Sequence, residues 1–141
     1  MPDKVFVDTN IWLYALLEVV DTPADRRHQQ AISLLAQLTR PVINSQVIRE
    51  TCGNLIKKAK MPEASIQGLL LAWYRDSEVV TSNAAQYLLA SELRTNNAFS
   101  YWDSMIVAAA LDAGCTNMFS EDLQHGQKIL GQLTIVNPFL A

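Results

Sequence analysis

The chain has 141 residues, half of them apolar, and a formal net charge of −3 from eleven basic and fourteen acidic side chains. That length fills one substantial core and leaves little for a second, so a single domain over residues 1–141 is expected. No apolar run approaches the roughly 20 residues that span a bilayer, and Asp3 and Lys4 stand where a secretory leader would be basic and then apolar, so a cytoplasmic protein with no membrane partner is expected.

Val5-Phe6-Val7 is a short β-branched and aromatic run ending at Asp8, and Ile11 to Leu17 reads as helix. A second helix is expected from about Ala24 to Leu38, with Thr22 as its cap, Pro23 in its first position and Arg40-Pro41 beyond its end. Val42-Ile43 makes a brief strand. Asn44 or Ser45 then caps a third helix running to about Lys60, with Ile48, Cys52, Leu55, Ile56 and Ala59 on one face. Met61-Pro62 closes it and opens a fourth, about Glu63 to Tyr74, which leads into a strand at Glu78-Val79-Val80. Ser82 or Asn83 caps a helix from Ala84 to about Thr95, and Asn96-Asn97 mark a loop. From Tyr101 a helix runs to Ala113 and stops at Gly114, followed by a strand at Asn117 to Phe119, a loop, and a last strand at about Leu133 to Val136. Short strands alternating with helices imply an α/β fold with a mostly parallel sheet and helices on both faces. There is no repeat, linker or low-complexity segment. Cys52 and Cys115, the only cysteines, lack the paired spacing of a zinc site and read as core thiols.

In open α/β sheets, ligands bind beyond the carboxyl ends of the strands, where Asp8 and Asp122 both fall. Each can equally be a helix N-cap, because an Asp side chain accepts from the free amides of a helix start. Asp103 is more informative: Ile106, Val107, Ala110 and Leu111 follow it at helical spacing, which puts it at the head of a buried stripe, where a carboxylate is costly unless compensated. Its place in the first turn keeps capping open. Glu50 points away from the apolar face of its own helix, so periodicity alone leaves it in solvent, although it lies early in a helix that follows a strand.

Four carboxylates at one sheet edge would suit Mg²⁺ or Mn²⁺, which prefer oxygen ligands and water. Such ions activate water and stabilise charge in attack on a phosphodiester. Other chemistries find no support: there is no glycine-rich phosphate loop, no GxSxG elbow, and neither His28 nor His125 has a catalytic companion, so both read as surface or loop residues. Nor does the acidic net charge exclude nucleic acid, since carboxylates gathered around cations no longer count against the rest of the surface.

Val5-Phe6-Val7-Asp8-Thr9-Asn10, Ser45-Gln46-Val47-Ile48-Arg49-Glu50, Trp102-Asp103-Ser104-Met105-Ile106-Val107-Ala108-Ala109-Ala110 and Ser120-Glu121-Asp122-Leu123 follow one another across nearly the whole chain. In that order they resemble the PIN domains, and especially the toxins of bacterial VapBC toxin–antitoxin pairs. The resemblance implies a PIN-like (Rossmann-like) fold, with a central, mostly parallel sheet of four to five short strands flanked by helices. It also implies a divalent-metal-dependent endoribonuclease. It carries metal binding and catalysis onto Asp8, Glu50, Asp103 and Asp122, supporting roles onto Thr9, Asn10 and Ser120, and an extra acidic neighbour onto Glu121. Ser104 departs from the pattern, since many relatives carry Ala there, and a hydroxyl at that point leaves metal binding intact.

Further implications are an RNA substrate, a homodimer, and a small antitoxin whose carboxyl-terminal segment covers the acidic site, often by presenting an arginine. Lys57, Lys58 and Lys60 can meet RNA phosphates, though cations at a helix carboxyl end also complement its dipole, which is the preferred reading. Trp12, Trp73, Trp102 and Tyr14 can stack on bases, but in a chain this size they read as core. A haloacid-dehalogenase-type phosphatase would need a second acid where Asn10 stands, and a receiver domain would need adjacent early acids and a late lysine. Two alternatives stay open: a PIN-like RNA-binding or scaffold module without catalysis, against which the intact carboxylates argue, and a housekeeping RNA-processing nuclease, which only genomic context separates from a toxin.

Overall fold

Val5–Val7 forms strand β1, and all three of its residues are buried, as a central strand covered on both faces requires. The structure is a computed structural model that describes residues 3–18 and 25–140. After β1 come α1 (Thr9–Leu16), α2 (Arg27–Ala36), β2 (Val42–Asn44), α3 (Ser45–Ala59), α4 (Glu63–Asp76), β3 (Glu78–Val80), α5 (Ala84–Asn96), α6 (Tyr101–Asp112), β4 (Asn117–Phe119), β5 (Lys128–Ile129) and β6 (Leu133–Val136). The cap expected at Thr22 and Pro23 lies outside the described residues, and α2 ends two residues before Leu38.

Local chemistry sets most of these ends. Asn44 caps α3 by accepting from the Val47 amide at 3.0 Å, and Asn83 caps α5 through the Gln86 amide at 2.9 Å. Beyond α6 the chain turns at Gly114, whose φ of 79° is a conformation that a Cβ disfavours.

The sheet order is β3-β2-β1-β4-β6-β5, parallel throughout except for the β5–β6 pair. β5 is one strand more than the sequence pattern shows. It has only two residues, too few for alternation to register, and is joined to β6 through Leu130 and Gly131 at φ 52° and 66°.

Strand order reverses between β1 and β4. Right-handed crossovers then put the β1–β2 and β2–β3 connections on one face and the β3–β4 connection, α5 and α6, on the other. α1 packs against α2 and α3, and α5 against α6, as this division requires.

α6 is buried from Ser104 through Leu111 without a break. The stripe expected along it is therefore a helix enclosed on all sides, which its small residues Ala108, Ala109 and Ala110 permit. Trp12 and Trp73 meet edge to face in the core at 5.6 Å. Cys115 is buried and Cys52 half-buried, both as free thiols. Among the described residues no helix is long and apolar enough to cross a membrane.

Candidate active site

The reversal between β1 and β4 opens a crevice at their carboxyl ends, the place where doubly wound sheets bind ligands. Asp8 follows β1 there, and Ser120-Glu121-Asp122 follows β4, the two segments tied by the Asp8 amide donating to the Phe119 carbonyl at 3.0 Å. Asp8 is 5% exposed. Its Oδ1 accepts from the Thr9 amide at 2.7 Å, so it does cap α1, while Oδ2 accepts from the Ser120 hydroxyl at 2.9 Å. Its carboxyl is raised from 3.8 to about 6 overall: burial raises it most, the two hydrogen bonds lower it, and the charges of Asp122 and Glu50 raise it.

Asp122 lies in the loop after β4, and no helix begins there, so capping does not account for it. The residue is exposed, yet its carboxyl is raised above the ordinary 3.8, first by partial desolvation and then by the charges of Asp103, Glu121 and Glu50. The Asn10 amide acts the other way on Asp122. Even so, Asn10 Nδ2 and Oδ1 are both buried without a fully formed hydrogen bond. Ser120, wholly buried, joins the two halves by donating to Asp8 and accepting from the Asp122 amide at 3.2 Å.

Asp103 is half-buried in the first turn of α6. Ser100 caps that helix, its Oγ accepting from the Asp103 amide at 3.1 Å, which leaves the Asp103 carboxylate free of the capping role. Asp103 and Asp122 together line a polar cleft of about 290 Å³.

Glu50 corrects the helical-face reading. α3 buries Gln46, Val47, Thr51 and Leu55, whereas Ile48 and Cys52 are half-buried and Ile56 is 44% exposed. The inward face is rotated from the one that hydrophobicity suggests, and Glu50 lies on its edge one turn after Gln46. Its Oε2 accepts from the Thr9 hydroxyl at 3.1 Å and its Oε1 from Gln46 Nε2 at 2.9 Å. Packing of α1 on α3 brings these groups together.

A family model for the PIN domain matches residues 5–128. The chain belongs to the PIN-domain family. Among curated proteins none matches it. Solved structures share its fold: VapC20 of Mycobacterium tuberculosis, described as a toxin cleaving the sarcin–ricin loop, has a TM-score of 0.66 at 22% identity over 84% of this chain and 92% of that one. A toxin–antitoxin complex from Klebsiella pneumoniae gives 0.69 at 17% identity over 96% and 98%. VapBC2 of Rickettsia felis, bound to a DNA fragment from its promoter, gives 0.64 at 20% identity over 93% and 96%. At these identities the likeness is one of fold.

Within this PIN domain the four carboxylates are close enough for Asp8 and Asp122 each to feel Glu50, but among the described residues no three acidic, His or Cys side chains form a closed ligand set. The donor chemistry fits a hard divalent cation nonetheless. Every donor is an oxygen, none of the leading influences on Asp8 or Asp122 comes from a Lys or Arg, and the Asn10 amide beside them lacks a partner.

The remaining candidates separate. Glu121 turns aside, its Oε1 accepting from the Tyr14 hydroxyl at 2.8 Å and its Oε2 from Arg27 at 3.5 Å. Lys57, Lys58 and Lys60 are exposed at the far end of α3, about 10 Å or more along its axis from Glu50. His28 Nδ1 pairs with the Tyr14 carbonyl and His125 Nδ1 accepts from the Asn137 amide, both apart from the carboxylates. Gln46, quoted in its segment of the sequence but given no role there, holds Glu50. Its signal was its place one helical turn before Glu50. Trp12, Trp73 and Tyr14 are buried or half-buried as expected, but Trp102 is 61% exposed, which overturns its reading as core.

Proposed function

We propose that this PIN domain is a divalent-metal-dependent endoribonuclease and the toxin of a toxin–antitoxin pair, with the whole chain acting as one domain. The observation that supports it most is the buried Asp8 carboxyl, held between Ser120 and Thr9 and repelled by Glu50 and Asp122, with no basic side chain among its leading influences. A carboxyl raised to about 6 in this way is ionised at neutral pH at a cost, and a cation beside it offsets that cost.

Asp8, Glu50, Asp103 and Asp122 would hold Mg²⁺ or Mn²⁺, which supplies an acidified water as nucleophile and screens the charge on the scissile phosphate. The chain's own groups do the positioning. Ser120 fixes the Asp8 carboxylate and the backbone of Asp122, while Thr9 and Gln46 fix both oxygens of Glu50. The buried Asn10 amide lies beside Asp122 and favours its charged form, so it helps to hold that carboxylate in place. Toxin–antitoxin complexes among the fold relatives support an antitoxin partner; that it is small and covers the acidic site with an arginine, and that the working form is a homodimer, follow from the family resemblance alone.

The test is cleavage of a total-RNA pool by the purified, antitoxin-free chain with Mg²⁺, Mn²⁺ or EDTA, with Asp103→Asn alongside and new ends mapped. Discrete cuts that need the ion and vanish in the variant are expected. A folded preparation that cuts nothing would favour the RNA-binding module instead, and full activity of Asp103→Asn would remove Asp103 from the set.

A further inference from the structure

Trp102 immediately precedes Asp103, and it is 61% exposed while the other two tryptophans are core residues at 9% and 2%. It fills no core and so needs another account. Tyr101 beside it is 46% exposed, and the two rings stand 5.0 Å apart and nearly perpendicular. Arg94 of α5 lies over the Tyr101 ring at 4.9 Å and donates to the Ser104 hydroxyl at 2.8 Å. Arg94 forms no ion pair among the described residues, so its charge is fixed in place and uncompensated. Ser104 is thus the anchor of a cation.

This patch is fastened to the carboxylates. Gln46 Nε2 donates both to the Trp102 carbonyl at 3.3 Å and to Glu50 Oε1 at 2.9 Å. The neighbouring cleft is mostly polar, with Asp103, Asp122, Gln124 and Gln127 in its lining and Phe99 and Leu123 as its apolar part. An apolar peptide would need a broad apolar floor, whereas here the open ring is that of Trp102, set edge to face with Tyr101, whose own ring lies under Arg94. A flat π-face beside a fixed positive charge is what a nucleobase and its phosphate require.

We propose that Trp102 with Tyr101 is a stacking platform for an unpaired RNA base next to the bond to be cut, and that Arg94 takes an adjacent phosphate. The proposal rests on the nuclease reading and deepens it by naming the side chains that hold the base and the phosphate; bases already stacked in a duplex cannot use the platform, which gives the test its contrast.

Binding is tested apart from cleavage, in EDTA at low salt, with a short single-stranded RNA oligonucleotide. Because Trp102 is the one exposed tryptophan, quenching of intrinsic fluorescence reports the platform itself. Saturable quenching is expected with the single strand and little with the same sequence as a duplex. By anisotropy of a labelled oligonucleotide, Trp102→Ala should bind about 5- to 100-fold more weakly and Trp102→Phe should keep most of the affinity. Arg94→Gln should weaken binding and flatten its salt dependence. RNA that binds without quenching, or wild-type affinity in Trp102→Ala, overturns the proposal and leaves the aromatic pair to a protein partner; absence of any RNA binding overturns it as well. Quenched, Trp102-dependent binding without cleavage under any metal would sink the nuclease reading alone and leave the platform standing.

Discussion

Asp8 and Glu50 are each held by two hydrogen bonds from the scaffold, whereas the Asp103 side chain has no hydrogen-bond partner among the described residues and Asp122 has only the approach of the Asn10 amide. The first pair is built into the floor of the crevice by β1, α1 and α3. The second stands on the rim, Asp122 open to water and Asp103 half-buried like Glu50 but without its scaffold hydrogen bonds. One half of the site is therefore set before anything binds, and the other is free to close on what does. Asp8 carries the largest electrostatic cost, since it is desolvated without a basic neighbour, and Asp122 on the rim carries a smaller one through partial desolvation and the charges of Asp103, Glu121 and Glu50.

The sharpest way to break this contrast is to neutralise one member of each half. Asp8→Asn and Asp103→Asn should both lower kcat/KM for RNA cleavage by about 100-fold or more, beyond the 10- to 100-fold loss usual for an outer-shell partner. They should differ in stability. At pH 8 in EDTA, Asp8→Asn should raise the melting temperature because it removes a buried charge, while Asp103→Asn should change stability by no more than about 0.5 kcal/mol. Equal stability of the two variants would mean that the halves are not built differently.

Next in size is the pH dependence of the metal-free chain. With Asp8 at 3.8 when unfolded and about 6 when folded, the native state binds the extra proton, so the stabilising contribution is complete below pH 3.8 and lost as pH rises through about 6. At about 1.4 kcal/mol per pH unit this amounts to roughly 3 kcal/mol. Denaturant melts in EDTA between pH 4 and 7 should show the fall, Asp8→Asn should lack it, and added Mg²⁺ should offset it at the upper end. A flat profile in the wild-type chain would show that Asp8 is less desolvated than its burial implies.

Ser120→Ala tests the link between the halves, because one hydroxyl donates to Asp8 and accepts from the Asp122 amide. Cleavage should drop about 10- to 100-fold, with a higher Mg²⁺ requirement. An unchanged metal requirement would make the link dispensable.

How far this contrast could be read in the sequence follows from which half carries a local signal. Asp8, Asp103 and Asp122 sit where a strand or a helix begins or ends, and Asn44, Asn83 and Gly114 mark element ends by chemistry that needs no tertiary context. Glu50 had no such signal. Its helix turns a polar face inward, with Gln46 and Thr51 buried and Ile56 left outside, so the hydrophobic pattern pointed the wrong way. A site that buries polar groups suspends the rule by which faces are assigned. The same holds for Trp102, whose exposure contradicts its composition, and β5 was too short to carry a pattern.

The smallest effect is expected at Glu121, which the sequence places beside Asp122 as a further acid. In the fold its carboxylate is engaged by Tyr14 and Arg27, and the Tyr14 hydroxyl is pushed up to about 12 by burial and by that hydrogen bond. The Arg27 and Glu121 side chains are 27% and 28% exposed at 3.5 Å, so the ion pair contributes under about 1 kcal/mol. Glu121→Gln should leave kcat/KM within about 3-fold of wild type, since an outer acid that serves only as a neighbour costs less than the 10-fold lower bound for an orienting partner. It should also lower the Asp122 carboxyl, because one like charge is gone. A loss above 10-fold would place Glu121 among the residues that hold the ion, and would move the rim of the site from two free carboxylates to three.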